Sequence, residues 1–158
     1  MIAITMGDGN GVGPEILLKA YVQGELQGEY LVCGDRGVLE YCSRKLGYEI
    51  PFHFAKDETD YCPGRLNVLD LGWLTEDDLT PGQVNAKVAA ASREYEVKAS
   101  EMALQGKFTA IVTLPVNKEA IRLTDPDFTG HTELIAGICG QTHYTMMLAA
   151  KALTVTRV

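Results

Sequence analysis

The chain has 158 residues, with 14 basic against 21 acidic side chains, a formal net charge of −7, and 46% hydrophobic residues. That size and balance describe one globular domain with a core of its own. They exclude a disordered chain, and the lack of any basic run or long apolar segment excludes a nucleic-acid or membrane partner.

Taken in order, strand and helix signals alternate. Ile2-Ala3-Ile4-Thr5 is a short apolar strand that stops at Gly7-Asp8-Gly9-Asn10-Gly11-Val12-Gly13. Pro14 and Glu15 suit the first turn of a helix, whose apolar face is Ile16, Leu17, Ala20 and Tyr21. A strand over 30–33 precedes a helix over 37–46, with Val38, Leu39 and Cys42 inward and Gly47 as its stop. Strands follow at 50–54 and 66–71, then an acidic turn at 75–81. The longest helix is expected over 83–105, where Val84, Val88, Ala91, Tyr95, Ala99 and Met102 recur every three or four residues. Residues 109–114 read as the clearest buried strand, followed by a short helix from Asn117 and another over 132–138. Strands at 145–149 and 153–158 complete the pattern, with Met146-Met147-Leu148 expected in the core. The alternation predicts an α/β fold, a three-layer α/β/α arrangement with a mainly parallel sheet. The last strand runs into Val158 without a turn or polar tail, so the expectation is a domain cut before it is complete.

Cys33, Cys42, Cys62 and Cys139 follow no metal-ligand spacing and are too sparse for a disulfide scaffold. They are expected as reduced thiols, and with no leader-like N-terminus the chain is expected in the cytoplasm. His53, between two phenylalanines, and His143, in a polar turn, are expected to be structural or surface residues.

Three segments could carry chemistry. The glycine-rich turn after the first strand is either a tight structural turn or a site for close approach of an anion to a helix start. Its spacing is neither the dinucleotide fingerprint nor a P-loop. Within it, Asp8 would face the crevice where ligands bind in open parallel sheets. Thr113-Leu114-Pro115-Val116-Asn117-Lys118-Glu119 ends another strand, either as strand, turn and N-cap or with Lys118 as a cation beside the same crevice, and Asn117 is placed to cap the next helix. Phe128-Thr129-Gly130-His131-Thr132-Glu133 opens a helix. Its two readings are a Thr capping box with a satisfied histidine, or an imidazole, a hydroxyl and open amides converging on a phosphate or carboxylate.

Together these segments resemble the 4-hydroxythreonine-4-phosphate dehydrogenase family of vitamin B6 biosynthesis. The resemblance rests on Met6-Gly7-Asp8 through Gly11-Val12-Gly13-Pro14-Glu15, Cys33-Gly34-Asp35-Arg36 and Thr80-Pro81-Gly82-Gln83. It continues through the 113–119 segment, Gly130-His131-Thr132-Glu133 and Met146-Met147-Leu148-Ala149. It implies a fold similar to the isocitrate and isopropylmalate dehydrogenases. The implied reaction is NAD-dependent oxidation of 4-phosphohydroxy-L-threonine, with a divalent metal (Zn, Mg or Co) polarising the hydroxyl and the keto acid then losing CO2. It also implies a homodimer, and matches His131 and Thr132 to the substrate-binding pair. Asp8, Asn117 and Lys118 are possible crevice residues, and no catalytic residue is assigned. Gly9-Asn10 departs from the Pro-Ala more usual in the opening signature. Family members are about twice as long, so the metal and NAD ligands are expected beyond Val158, with residues 1–158 forming the N-terminal portion of a two-domain enzyme that is inactive alone. The alternative substrates are 4-phospho-erythronate and 4-phospho-threonate. A different class of function is a non-catalytic fragment that binds a phosphorylated metabolite or pairs with a partner.

Overall fold

A computed structural model describes residues 1–157. Its apolar runs pair side by side as one five-stranded sheet in the order β3-β4-β2-β1-β5, every pairing parallel. The strands are β1 (Ile2–Thr5), β2 (Tyr30–Gly34), β3 (Phe52–Ala55), β4 (Leu66–Asp70) and β5 (Ile111–Thr113). Parallel strands need crossovers, and helices supply three of them: α1 (Gly13–Val22) between β1 and β2, α2 (Arg36–Leu46) between β2 and β3, and α3 (Ala86–Leu104) between β4 and β5, while residues 56–65 join β3 to β4 without a helix. The first two crossovers step outward from β1 and their helices pack on each other. The third steps back across the sheet, so right-handed connections put α3 on the opposite face. There α3 also packs against α4 (Lys118–Ile121) and α5 (His131–Ile138). This is the expected α/β architecture, a parallel sheet between two helical layers.

The core explains the helical faces. Leu17, Leu18, Val38, Leu39, Val88, Tyr95 and Ala99 are buried with Ile4, Leu31, Val32 and Val68 of the sheet. A side chain of that size contributes about 1.5–3 kcal/mol on full burial. A smaller cluster of Ala89, Ala120, Ile121 and Phe128 joins α3 to α4 and the turn before α5.

Four expectations need correction. In α1 the inward residue is Leu18, while Ile16 is exposed, because the helix begins at Gly13 and its buried stripe is Pro14, Leu17 and Leu18. Helix α3 starts three residues later than expected, since the Asn85 side chain accepts hydrogen bonds from the Lys87 and Val88 amides and caps it; Val84 is left exposed. Strand β5 is short and lies at the sheet edge, so Val112 is exposed rather than buried. Met146, Met147 and Leu148 are not core: they form β6 (Met146–Ala149), which pairs antiparallel with β7 (Thr154–Arg157) in a separate, exposed ribbon. Of the strand expected over 153–158, Val158 lies outside the described residues.

Candidate functional site

The strand order decides where a ligand can enter. From β1 the chain turns through residues 6–12 into α1, and from β5 it turns through residues 114–117 into α4, in the opposite helical layer. Two neighbouring parallel strands whose connections diverge leave a crevice at their carboxyl ends. Here it is a cleft of about 490 Å3, lined among others by Asp8, Asn10, Gln83, Asn117, Lys118 and Glu119. The two walls meet at Gly7, whose φ is +73° and whose missing side chain allows contact: a Cβ there would lie 2.5 Å from the Pro115 carbonyl oxygen. The next amide, Asp8 N–H, donates to that oxygen at 3.0 Å.

Asp8 is buried, and burial pushes its carboxyl above the usual carboxylate range; a hydrogen bond from the Asn10 amide at 2.9 Å partly offsets the rise. Asn10 ties the glycine turn to the 80–83 loop. Its Oδ1 accepts from Thr80 N–H at 2.8 Å, and its Nδ2 donates to Thr80 Oγ1 at 3.1 Å and to the Gln83 carbonyl at 3.3 Å. Its own carbonyl accepts from Gly82 N–H at 2.8 Å. On the opposite wall, Asn117 caps α4 as expected, accepting from Ala120 N–H at 3.1 Å.

Lys118 links this cleft to the third segment. Its ammonium has no carboxylate within ion-pair distance among the described residues. Instead it lies against Gly130, where an added Cβ would stand 2.9 Å from Nζ and 3.2 Å from Glu133 Oε2. Gly130 is the N-cap of α5 and makes no side-chain cap, so the capping-box reading does not hold; the first amides of the helix are open. A cation, open amides and the positive end of a helix therefore meet, with one carboxylate competing for the place.

His131 and Thr132 occupy the first two positions of α5 and are half-buried. They stand outside the residues that line the cleft. The His131 Nδ1 is 2.7 Å from Oε1 of Glu96, a residue of α3 with no solvent exposure. The two meet at ion-pair distance without the alignment of a hydrogen bond, and neither carboxylate oxygen has a donor. The structure thus brings Asp8, Asn117 and Lys118 onto one cleft and sets His131 and Thr132 beside it.

Sequence patterns missed Glu96, although a signal was present: it continues the spacing-of-four polar series Ser92, Glu96, Ser100 inside the buried face of α3. They also missed Asp35, a buried carboxylate that accepts from the Trp73 and Leu74 amides and from the Tyr95 hydroxyl. His53 contacts the Asp60 carbonyl and carboxylate and is structural. The four cysteines are free thiols. Among the described residues no three His, Cys, Asp or Glu side chains gather to hold a metal, and no helix is long and apolar enough to cross a membrane.

The model of the family described as "Pyridoxal phosphate biosynthetic protein PdxA" matches residues 27–158. The chain is 36% identical to a 4-hydroxythreonine-4-phosphate dehydrogenase of Desulfosudis oleivorans, over 100% of its own length and 48% of the relative's. It is 34% identical to a D-threonate 4-phosphate dehydrogenase of Cupriavidus necator, over 100% of its length and 48% of the relative's. Among solved structures, a 4-hydroxythreonine-4-phosphate dehydrogenase from Burkholderia phymatum superposes with a TM-score of 0.86 at 37% identity, covering 98% of this chain and 48% of that one. The chain spans about half the length of the curated relatives it matches.

Proposed function

Because this chain belongs to the PdxA family of pyridoxal phosphate biosynthetic proteins, we propose that it forms the anion-gripping part of an oxidoreductase acting on a 4-phosphorylated hydroxy acid. The observation that carries this reading is Lys118 lying against Gly130, at the uncapped start of α5 and on the lip of the cleft. A doubly charged phosphate suits that place: the ammonium supplies charge, while the amides and the Thr132 hydroxyl supply donors. His131 is the second nitrogen donor of the same grip.

The first substrate reading is 4-hydroxythreonine-4-phosphate, oxidised with NAD and then decarboxylated. D-threonate 4-phosphate is the second, favoured by the names that several of the similar relatives carry. The two share the phosphorylated end, so the groups named here do not discriminate between them. The residues present do not fit a divalent metal, since no set of three ligands gathers among those described, and the glycine turn lacks the dinucleotide spacing. No described residue is therefore assigned to hydride transfer. The metal and NAD ligands, the partner subunit of a homodimer and the cytoplasmic setting belong to this proposal as properties of the whole enzyme.

Calorimetric titration with the two phosphorylated acids and with inorganic phosphate tests the grip. Lys118→Met and His131→Ala are each expected to weaken binding by about 1–3 kcal/mol, the worth of one charge-assisted contact. Glu133→Gln is expected to strengthen it, because the competing carboxylate loses its charge. Unchanged affinity in all three variants would sink the reading.

A further inference from the structure

A carboxyl group taken fully out of water is strongly unfavourable unless hydrogens face it. Glu96 is such a group: it has no exposure, and neither oxygen receives a hydrogen bond. Among the described residues the one basic nitrogen within ion-pair reach is His131 Nδ1, at 2.7 Å, which is itself buried and has no other partner. Lys118, although it lies against Gly130, is not within ion-pair distance of Glu96, and other nearby charges have partners of their own. Arg93 pairs with Asp125 and Glu94, Lys87 with Asp78, and Asp35 with two amides and the Tyr95 hydroxyl. The His131 side chain is 29% exposed overall, so with Nδ1 buried the ring shows its other edge to solvent.

We propose that Glu96 is a positioning residue for His131: it holds the Nδ1 hydrogen, so that the imidazole stands at the start of α5 with Nε2 turned outward to the anion site. Which ring nitrogen carries hydrogen is set by the partner of the other. With Nδ1 occupied, Nε2 offers a lone pair to a substrate hydroxyl in the neutral ring, or an N–H to a phosphate oxygen in the charged one. In either form the ring plane is set from α3, an element that no ligand-binding segment includes. The consequence for phosphate rests on the function proposed above, whereas the orientation of the ring does not.

The test is long-range 1H–15N NMR on the chain labelled at His53, His131 and His143, the His131 signals being identified by their loss in His131→Ala. The expected result at neutral pH is hydrogen on Nδ1. It is retained in Glu96→Gln, whose amide oxygen still accepts, and lost in Glu96→Ala in favour of the Nε2–H form. Inorganic phosphate titrated into the same proteins should bind Glu96→Gln nearly as wild type and Glu96→Ala about tenfold more weakly, the scale on which orienting partners of histidine act elsewhere. A bare Nδ1 in the wild-type chain overturns the inference without any variant, and so does an Nδ1 hydrogen that persists in folded Glu96→Ala. An Nδ1 hydrogen governed by Glu96, in a chain that binds no phosphate, upholds the positioning role and overturns the anion grip instead.

Discussion

Asn10 shows how much one side chain can settle. At 6% exposure it has both polar atoms of its side-chain amide hydrogen-bonded to the 80–83 loop, and so fixes one wall of the cleft. Asn10→Ala removes three bonds and leaves the Thr80 amide unpaired, so a loss of about 2–3 kcal/mol is expected in urea unfolding. Asp8, two residues earlier, predicts a pH effect. Its folded-state carboxyl titrates above the ordinary Asp value of 3.8, because burial disfavours the charge. The folded chain then holds a proton that the unfolded chain releases, and the stability from this group, full below pH 3.8, is lost as pH rises towards the folded value. Asp8→Asn cannot lose it. The variant should therefore gain on wild type as pH rises above 3.8 in parallel thermal melts, and a constant gap would show that the Asp8 pKa is not raised.

The glycine turn works as an element, not as a set of residues. It must cross over the end of β5, and Gly7 is where the two backbones touch. Gly7→Ala places a methyl group against the Pro115 carbonyl oxygen and a side chain in the left-handed region, so a loss of at least about 2 kcal/mol is expected, measured as a lowered urea midpoint. Most elements were legible from apolar spacing, because strand and helix periods are local. Two properties were not. The exposure of β5 depends on which strand lies beside it, and residues 109–114 read the same in the middle of a sheet as at its edge. The outward face of β6 has the same cause: Met146-Met147-Leu148 is apolar whether or not anything covers it. The three candidate segments were legible because glycine, proline and capping residues mark strand ends. Glu96 was not, since a helical stripe is read by its apolar members and a charge within it passes as an interruption.

At the level of the whole molecule, the sheet order places the crevice between β1 and β5, while α3 packs against both strands and against α4 and α5. Asp35 and Glu96 flank neighbouring positions on that arrangement, one bonded to Tyr95 and the other facing His131. The proposal that the chain alone does not catalyse predicts no NAD reduction by purified material supplied with 4-hydroxythreonine-4-phosphate and a divalent metal. Turnover above the buffer blank would end it. The sole tryptophan offers a way to watch this helix. Trp73 lies flat on Tyr95, ring centres 5.4 Å apart and planes 11° from parallel, so its indole emission is an optical gauge of the middle of α3. A colour change on adding phosphate would report movement transmitted through the helix, and an unchanged spectrum would mean that the grip forms on a rigid floor.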